Sequence, residues 1–451
     1  MGRGRTATKA LTESATKALR GTAKALRDPA TLLAALLAVA GLVQSWDLGR
    51  KSPGIDFYQF WIIGQIIGRA DVPSIYAEDA HPRLGAEFIR RSLTEDDSER
   101  RRIAARAWQV LEPTATPMLY SSFRPFAALR YDDAHLVYRV VSLAALSVAV
   151  LAIAVGLGHS ATVALLMLAL VNVAFRPLKT DIQVGNVNQV QLAMVAAYLW
   201  LSSRRDTARS QWIAGALLGV LVLLKPNLLA VAPVLALSWV AHGRREKLIR
   251  QGAGMAAGAA LALAFTAAVF GSLSPWREWL DFMRAFPPSK IPLRYGNVGL
   301  ARLLYETLDV RVSLWLALFF MCAALACVWI GRAGYAKPAA DDRRAVAVED
   351  ALALGAGCFV YLLSAPLVWN HYLLLALPAA LALLREPATD ARAERLRPVL
   401  IALALLALAV DPIADFFSMY DMYQQAALNV AGVLTLFVLT LRELARPRLS
   451  A

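Results

Sequence analysis

Charge is scarce in this chain. Asp, Glu, Lys and Arg make up 18% of its 451 residues, where a soluble protein carries about a quarter. With hydrophobic residues at 58%, this excludes an ordinary soluble domain. Cysteine is rarer still: Cys322, Cys327 and Cys358 form an odd set with no metal-ligand spacing, all inside apolar stretches. That excludes a disulfide scaffold and marks them as packing residues. Basic residues are missing from the short loops 365–370 and 411–425. They crowd the alternate loops instead, at Arg204, Arg205 and Arg209, then Arg244, Arg245, Lys247 and Arg250, then Arg332, Lys337, Arg343 and Arg344, then Arg385, Arg392, Arg395 and Arg397. The asymmetry follows the positive-inside rule, so both termini are expected in the cytoplasm and the number of spans is even. The net charge of +14 is therefore topological, and nucleic acid is not an expected partner.

Apolar residues come in blocks, at 32–43, 140–157, 161–175, 187–201, 213–224, 228–240, 253–270, 314–330, 351–363, 372–384, 399–410 and 426–441. Blocks of this length predict an all-α polytopic membrane protein with about twelve transmembrane helices. Residues 1–28 form a basic cytoplasmic segment with a weak Lys-Ala-Leu repeat, read either as a helix on the inner leaflet or as a basic tail. Residues 29–441 form the membrane domain and 442–451 a cytoplasmic tail. Ala38-Val39-Ala40-Gly41 resembles a signal-peptidase site, but a retained anchor is expected. Two long extracytoplasmic loops, about 47–134 and 271–312, put the large loops on one face. The first holds an amphipathic stretch from Asp56 to Ile67, with Phe57, Phe60, Trp61 and Gly64 at helical spacing, as in a helix lying at headgroup level. A charged helix is predicted over roughly 83–109.

Four polar clusters fall on the loop face. Asp56 follows the first apolar block and precedes Phe57, Tyr58, Phe60 and Trp61. A polar run, Arg176, Lys179, Thr180, Asp181, Gln183, Asn186, Asn188 and Gln189, opens the fourth block. Lys225-Pro226-Asn227 interrupts two blocks, and Trp369-Asn370-His371-Tyr372 lies between two more. Each has a plain alternative: a loop acid or helix cap, amides that satisfy a helix end, a snorkelling lysine, an interfacial histidine. Together they suit transfer of a sugar from a lipid phosphate, which needs a base for the attacking hydroxyl and positive charge for the leaving phosphate. Asp56 is the candidate base; Lys225, Arg176 and Lys179 are the candidate cations. No Asp-x-Asp pair lies near Asp56, and Asp96-Asp97 and Asp132-Asp133 read as solvated or capping, so no metal is expected.

Several segments resemble glycosyltransferase family 87. Gly54-Ile55-Asp56-Phe57-Tyr58 with Ile75-Tyr76 is similar to its opening Asp and Tyr pattern. Thr116-Pro117, Tyr120 and Arg124-Pro125-Phe126 resemble its Tyr-Pro-Pro segment. Gly185-Asn186-Val187-Asn188, Leu224-Lys225-Pro226-Asn227 and Ser364-Ala365-Pro366 to His371 resemble its Gly-Gln-x-Asn, Lys-Pro and Ser-Pro…Trp…His motifs. The likeness runs from about 31 to 441. It departs at Asn186 for the usual Gln, at Tyr372 where a second His is common, and at Asn297-Val298-Gly299-Leu300. The resemblance implies a GT-C fold and an inverting transferase that uses a polyprenyl-phosphate sugar, typically mannose. The acceptor would be a glycolipid or cell-envelope glycan, and the setting the bacterial inner (plasma) membrane among its lipids. It makes Asp56 the base, Lys225 a donor-phosphate contact and His371 a polar site residue. Arg176, Lys179, Asn186, Asn188, Tyr58, Trp369, Asn370 and Arg124 complete the candidate substrate contacts, with no cofactor beyond the lipid-linked donor. The rivals are a flippase and a ligase-like transferase of diphosphate-linked oligosaccharides, the latter because 271–312 holds Arg277, Arg284, Arg294, Arg302 and Arg311.

Overall fold

The computed structural model describes residues 28–94, 98–203, 207–286, 296–332, 343–385, 396–409 and 422–446. The N-terminal repeat, Asp96-Asp97, most of the 411–425 loop, 287–295 of the second long loop, the basic stretches 204–206, 333–342 and 386–395, and the tail from 447 lie outside the described residues.

The described residues form helices and loops, and their one β-bridge joins Asn297 to Trp369. The chain opens with α1 (Pro29–Lys51), started by Asp28, whose carboxylate accepts from the Ala30 and Thr31 amides, and ended by Arg50 and Lys51. A loop region follows, with α2 (Ile55–Ile66), α3 (His81–Thr94), α4 (Glu99–Ala107) and α5 (Pro117–Phe123). The helix expected over 83–109 is thus two helices. Ser98 caps the second by accepting from the Arg101 amide, which starts a new helix where the first stops. Next come α6 (Tyr131–Gly156), α7 (Ala161–Ala174), α8 (Arg176–Val184), α9 (Asn188–Ser202), α10 (Ala208–Leu224), α11 (Val231–Ala241), α12 (Arg245–Phe270) and α13 (Ser274–Ala285). The remainder is α14 (Leu300–Leu308), α15 (Ser313–Gly331), α16 (Arg343–Ser364), α17 (Leu377–Leu383), α18 (Leu396–Leu408) and α19 (Met422–Ala445).

Six described helices are long and apolar enough to cross a bilayer: α1, α6, α12, α15, α16 and α19. The bent pair α7–α8, folded by 63° at Phe175, would make a seventh. The rest of the expected twelve blocks lie on shorter helices. Burial separates the roles of the long helices. The apolar stretch of α16 is 94% buried, whereas those of α12 and α15 are 22% buried. α16 is therefore the central post of the bundle, and α12 and α15 turn most of their side chains outward, as lipid contact requires.

The aromatics of α2 do not lie on a surface. Phe57, Tyr58, Phe60 and Trp61 are buried in a second core built from α2 to α5, the start of α6 and α13. Phe57 stacks on Tyr138 at 4.8 Å, and Phe60 packs on Phe123 at 4.8 Å. The helical spacing read as a membrane-parallel helix is instead the core face of a packed loop domain, because α5 and α6 cover it.

At the bundle end remote from that loop domain, two adjacent acids of α16 are buried. Glu349 pairs with Arg244 (2.9 Å) and His242 (2.6 Å), and Asp350 with Lys247 (2.6 Å) and the Ser202 hydroxyl (2.7 Å). Each buried charge has its counter-charge.

The tightest helix pair is α10–α12. Gly215 and Gly219 on one face meet Gly254 and Gly258 on the other, two small-xxx-small repeats interlocked. A Cβ on Gly258 would lie 2.0 Å from the Ala216 carbonyl oxygen, and one on Gly215 2.1 Å from the Gln251 oxygen. Gly258→Val must push these backbones apart. We expect it to cost about 3 kcal/mol or more, read as a lower unfolding temperature in detergent, whereas Gly252→Ala, with open space around it, is expected to change little.

Candidate active site

Two glycines bring the first acid to its partners. Gly54 (φ 68°) precedes α2, and Gly185 (φ 71°) ends α8, both in the left-handed region where a side chain is strained. The Gly54 amide donates to the Gln183 carbonyl at 3.2 Å. A Cβ on Gly185 would sit 2.8 Å from the Phe57 Cβ and 3.5 Å from the Gly54 Cα. The start of α2 therefore abuts the end of α8, and Asn186 Nδ2 donates to Asp56 Oδ2 at 2.7 Å.

Lys225 sits where Pro226 stops α10. Its Nζ donates to Asn186 Oδ1 (2.9 Å) and to Asn188 Oδ1 (2.6 Å), and lies 4.1 Å from the centre of the Tyr372 ring. Asn188 Nδ2 donates in turn to Asp181 Oδ1 at 2.7 Å, and Gln189 Nε2 to Asp181 Oδ2 at 3.1 Å. One ammonium is thus tied through two amides to two carboxylates. Because an ammonium only donates and a carboxylate only accepts, both amide orientations are dictated. Asn186 is further held by Tyr138, whose hydroxyl donates to its carbonyl at 2.5 Å. Burial pushes the Asp56 carboxyl up to about 6, against the Asn186 hydrogen bond and the Lys225 charge, which pull it down. Helix α2 is not among the candidate spans.

The facing wall is carried by Trp369 to Tyr372. Asn297 fixes that segment: its Oδ1 accepts from the Val368 amide (2.9 Å), its Nδ2 donates to the Pro366 carbonyl (2.9 Å), and the Val298 amide donates to Val368 (2.7 Å). Thr180 donates to Asn370 Oδ1 at 3.3 Å. Asn370 Nδ2 and His371 Nε2 are buried without a protein partner. Buried polar atoms rarely stay unpaired, so these are atoms for a ligand to satisfy.

Between the walls lies a cavity of about 650 Å³ lined by Asp56, Arg176, Thr180, Asn186, Lys225, Trp369, Asn370, His371 and Tyr372, among others. Of the eleven residues named as the base and substrate contacts, seven line it. The other four do not. Asn188 sits behind Lys225, fully buried. Tyr58 is buried between Trp61 and Tyr131. Lys179 is half-buried on α8 and does not reach the cavity. Arg124 is exposed on a one-turn helix, where it donates to the Gly64 carbonyl. Sequence reasoning missed Asp181 as a partner of Lys225, although it stands within the quoted polar run. It also missed the anchoring role of Asn297, which only the facing segment reveals. Among the described residues, no three His, Cys, Asp or Glu side chains are grouped as metal ligands.

The model of glycosyltransferase family 87 matches residues 114–364, more than half of the chain. The chain belongs to glycosyltransferase family 87. No curated protein and no solved structure matches it. It is therefore a glycosyltransferase, and its apolar helices make it a multi-pass membrane protein. The matched stretch runs from the start of α5 to the end of α16 and includes Arg176, Asn186, Asn188, Lys225 and Asn297. Asp56 precedes it and His371 follows it, so in this glycosyltransferase the assignment of those two to the site rests on the cavity they share with Lys225.

Proposed function

We propose that this glycosyltransferase moves a monosaccharide, by resemblance mannose, from a polyprenyl-phosphate carrier to a glycolipid or cell-envelope glycan, with inversion at the anomeric carbon. The observation that carries the reading is that Asp56 and Lys225 hold the same amide, that of Asn186, on the wall of one cavity. That sets a base and a cation at a fixed separation. In the transfer, the acceptor oxygen attacks the anomeric carbon and its proton passes to Asp56. The bond from that carbon to the phosphate oxygen breaks, and its electron pair leaves with the polyprenyl phosphate. Lys225 and Arg176 offset the charge that develops there. One carboxylate working through a single displacement inverts the centre. Asn370 Nδ2 and His371 Nε2 hydrogen-bond the donor. The same proposal holds the GT-C fold, about twelve spans, cytoplasmic termini and a site on the extracytoplasmic face of the bacterial inner membrane. Of the loop arginines that motivated a ligase-like reading, Arg294 lies outside the described residues and the other four do not line the cavity: Arg277 and Arg284 pair with Asp281, and Arg302 with Glu306.

The test is transfer by the purified full-length chain in lipid nanodiscs, with a panel of polyprenyl-phosphate sugars and the product anomer read by NMR. Only the ionised Asp56 can take a proton. We therefore expect kcat/KM to climb about tenfold per pH unit on the acid side and to level off above a midpoint near the carboxyl's value of about 6. Retention of configuration, or a profile flat between pH 5 and 7, would overturn the mechanism.

A further inference from the structure

The cavity has two walls of different origin. Arg176, Thr180, Asn370, His371 and Tyr372 come from the bundle and its links, whereas Trp108, Glu112, Thr114, Trp279 and Met283 come from the loop domain and α13, none of them on a candidate span. On this second wall Trp108 Nε1 donates to the Ile55 carbonyl at 2.6 Å, one residue before Asp56, and Trp279 Nε1 donates to the Thr114 carbonyl at 3.1 Å. Gln59 Nε2 ties the strip together by donating to the Glu112 carbonyl at 2.8 Å.

Both indoles are half-buried and face the cavity with their single polar group already taken by backbone. What they still offer is flat apolar surface, rimmed by the Gln59, Glu112 and Thr114 polar groups. Apolar surface with a few placed polar groups is the make-up of a small-ligand site, and a pyranose has the matching form: a C–H face to lie on an indole and hydroxyls around its edge. An isoprenoid chain has no use for the polar rim, and its place is among the spans.

We infer that Trp108 and Trp279 form the acceptor-sugar subsite, which stacks the accepting pyranose next to Asp56. The inference rests on the transfer reaction proposed above. Satisfied N–H groups hold both rings in place, so the accepting hydroxyl is presented to the carboxylate from the loop side while the donor lipid occupies the bundle side.

The experiment uses the full-length chain in nanodiscs, whichever polyprenyl-phosphate sugar it turns over, and as acceptors the octyl and methyl glycosides of mannose, glucose and galactose. Trp108→Leu and Trp279→Leu are each expected to raise the acceptor KM about tenfold, with the donor KM moved less than about twofold. Trp108→Phe and Trp279→Phe, which keep an aromatic face, are expected to recover most of the loss and to match the parent in unfolding temperature. An equal loss for octyl and methyl glycosides assigns the contact to the sugar ring. A loss confined to the octyl series, an unchanged acceptor KM, or a rise in donor KM alone overturns the subsite. So does donor hydrolysis without transfer to any glycoside, which leaves the transferase reading standing. Absence of donor turnover with every sugar of the panel fails that reading itself.

Discussion

Asp56→Asn is expected to lower transfer about a thousandfold and at the same time to make the protein more stable at neutral pH. The substitution is isosteric. An Asn oxygen at this position still accepts from Asn186 Nδ2, which now reaches Asp56 Oδ2 at 2.7 Å, so the geometry survives while the proton acceptor is lost. The gain in stability follows from the direction of the carboxyl's displacement. Burial raises it from 3.8 to about 6 in the folded chain, so the folded state binds the proton more tightly than the unfolded one. Folding is then opposed increasingly as pH rises from about 4 to 6, and the full penalty, up to about 3 kcal/mol, applies above that. Removing the charge removes the penalty. Transfer by Asp56→Asn within tenfold of the parent would exclude a proton-accepting role. A fall in unfolding temperature at pH 7.5 would show instead that the carboxylate supports the fold.

Lys225→Gln is expected to cost about a hundredfold in kcat/KM, the usual worth of one group that stabilises developing negative charge. Glutamine is chosen over methionine because its amide still donates toward Asn186 or Asn188, whose Oδ1 atoms the ammonium now serves at 2.9 and 2.6 Å. Methionine would strand the buried Asn188 Oδ1 and leave Asn186 Oδ1 with the Val187 amide alone, at 2.8 Å. A second readout separates electrostatics from packing. The Lys225 charge pulls the Asp56 carboxyl down, so its loss is expected to move the acid limb of the pH profile above 6. An unmoved limb with unchanged kcat/KM would remove Lys225 from the mechanism.

The sequence made several of these residues legible because buried charge in an apolar chain is costly wherever it stands. Asp56, Lys225 and His371 were each conspicuous as polar residues beside long greasy blocks. The charged partners they acquire were less visible. Asp181 lies in a run of eight polar residues, and nothing in the run distinguishes the acid that is fully buried from its half-exposed neighbour Lys179. The aromatics after Asp56 carried the right period and the wrong environment, since a helix packed under α5 and α6 and one lying on a membrane share the same spacing. Glu349 and Asp350 do not stand out in the sequence, because two acids among alternating small residues look like a helix end at the surface. Only the fold places Arg244, Lys247 and His242 against them.

The interlocked glycines of α10 and α12 bear on how the cavity could open. Lys225 is the residue on which α10 ends, and α13, with Trp279, follows α12 after a three-residue link, 271 to 273. This close backbone approach therefore joins the ammonium to the helix that roofs the opposite wall, like two posts of one door frame. Widening the entrance by swinging those posts apart would break that contact first. The facing segment from Trp369 to Ala376 is held differently, by hydrogen bonds at its start: the Asn370 amide donates to the Gly296 carbonyl at 3.2 Å, and just before it Pro366 and Val368 bond to Asn297 and Val298. A movement of that segment would widen the cavity without parting α10 from α12.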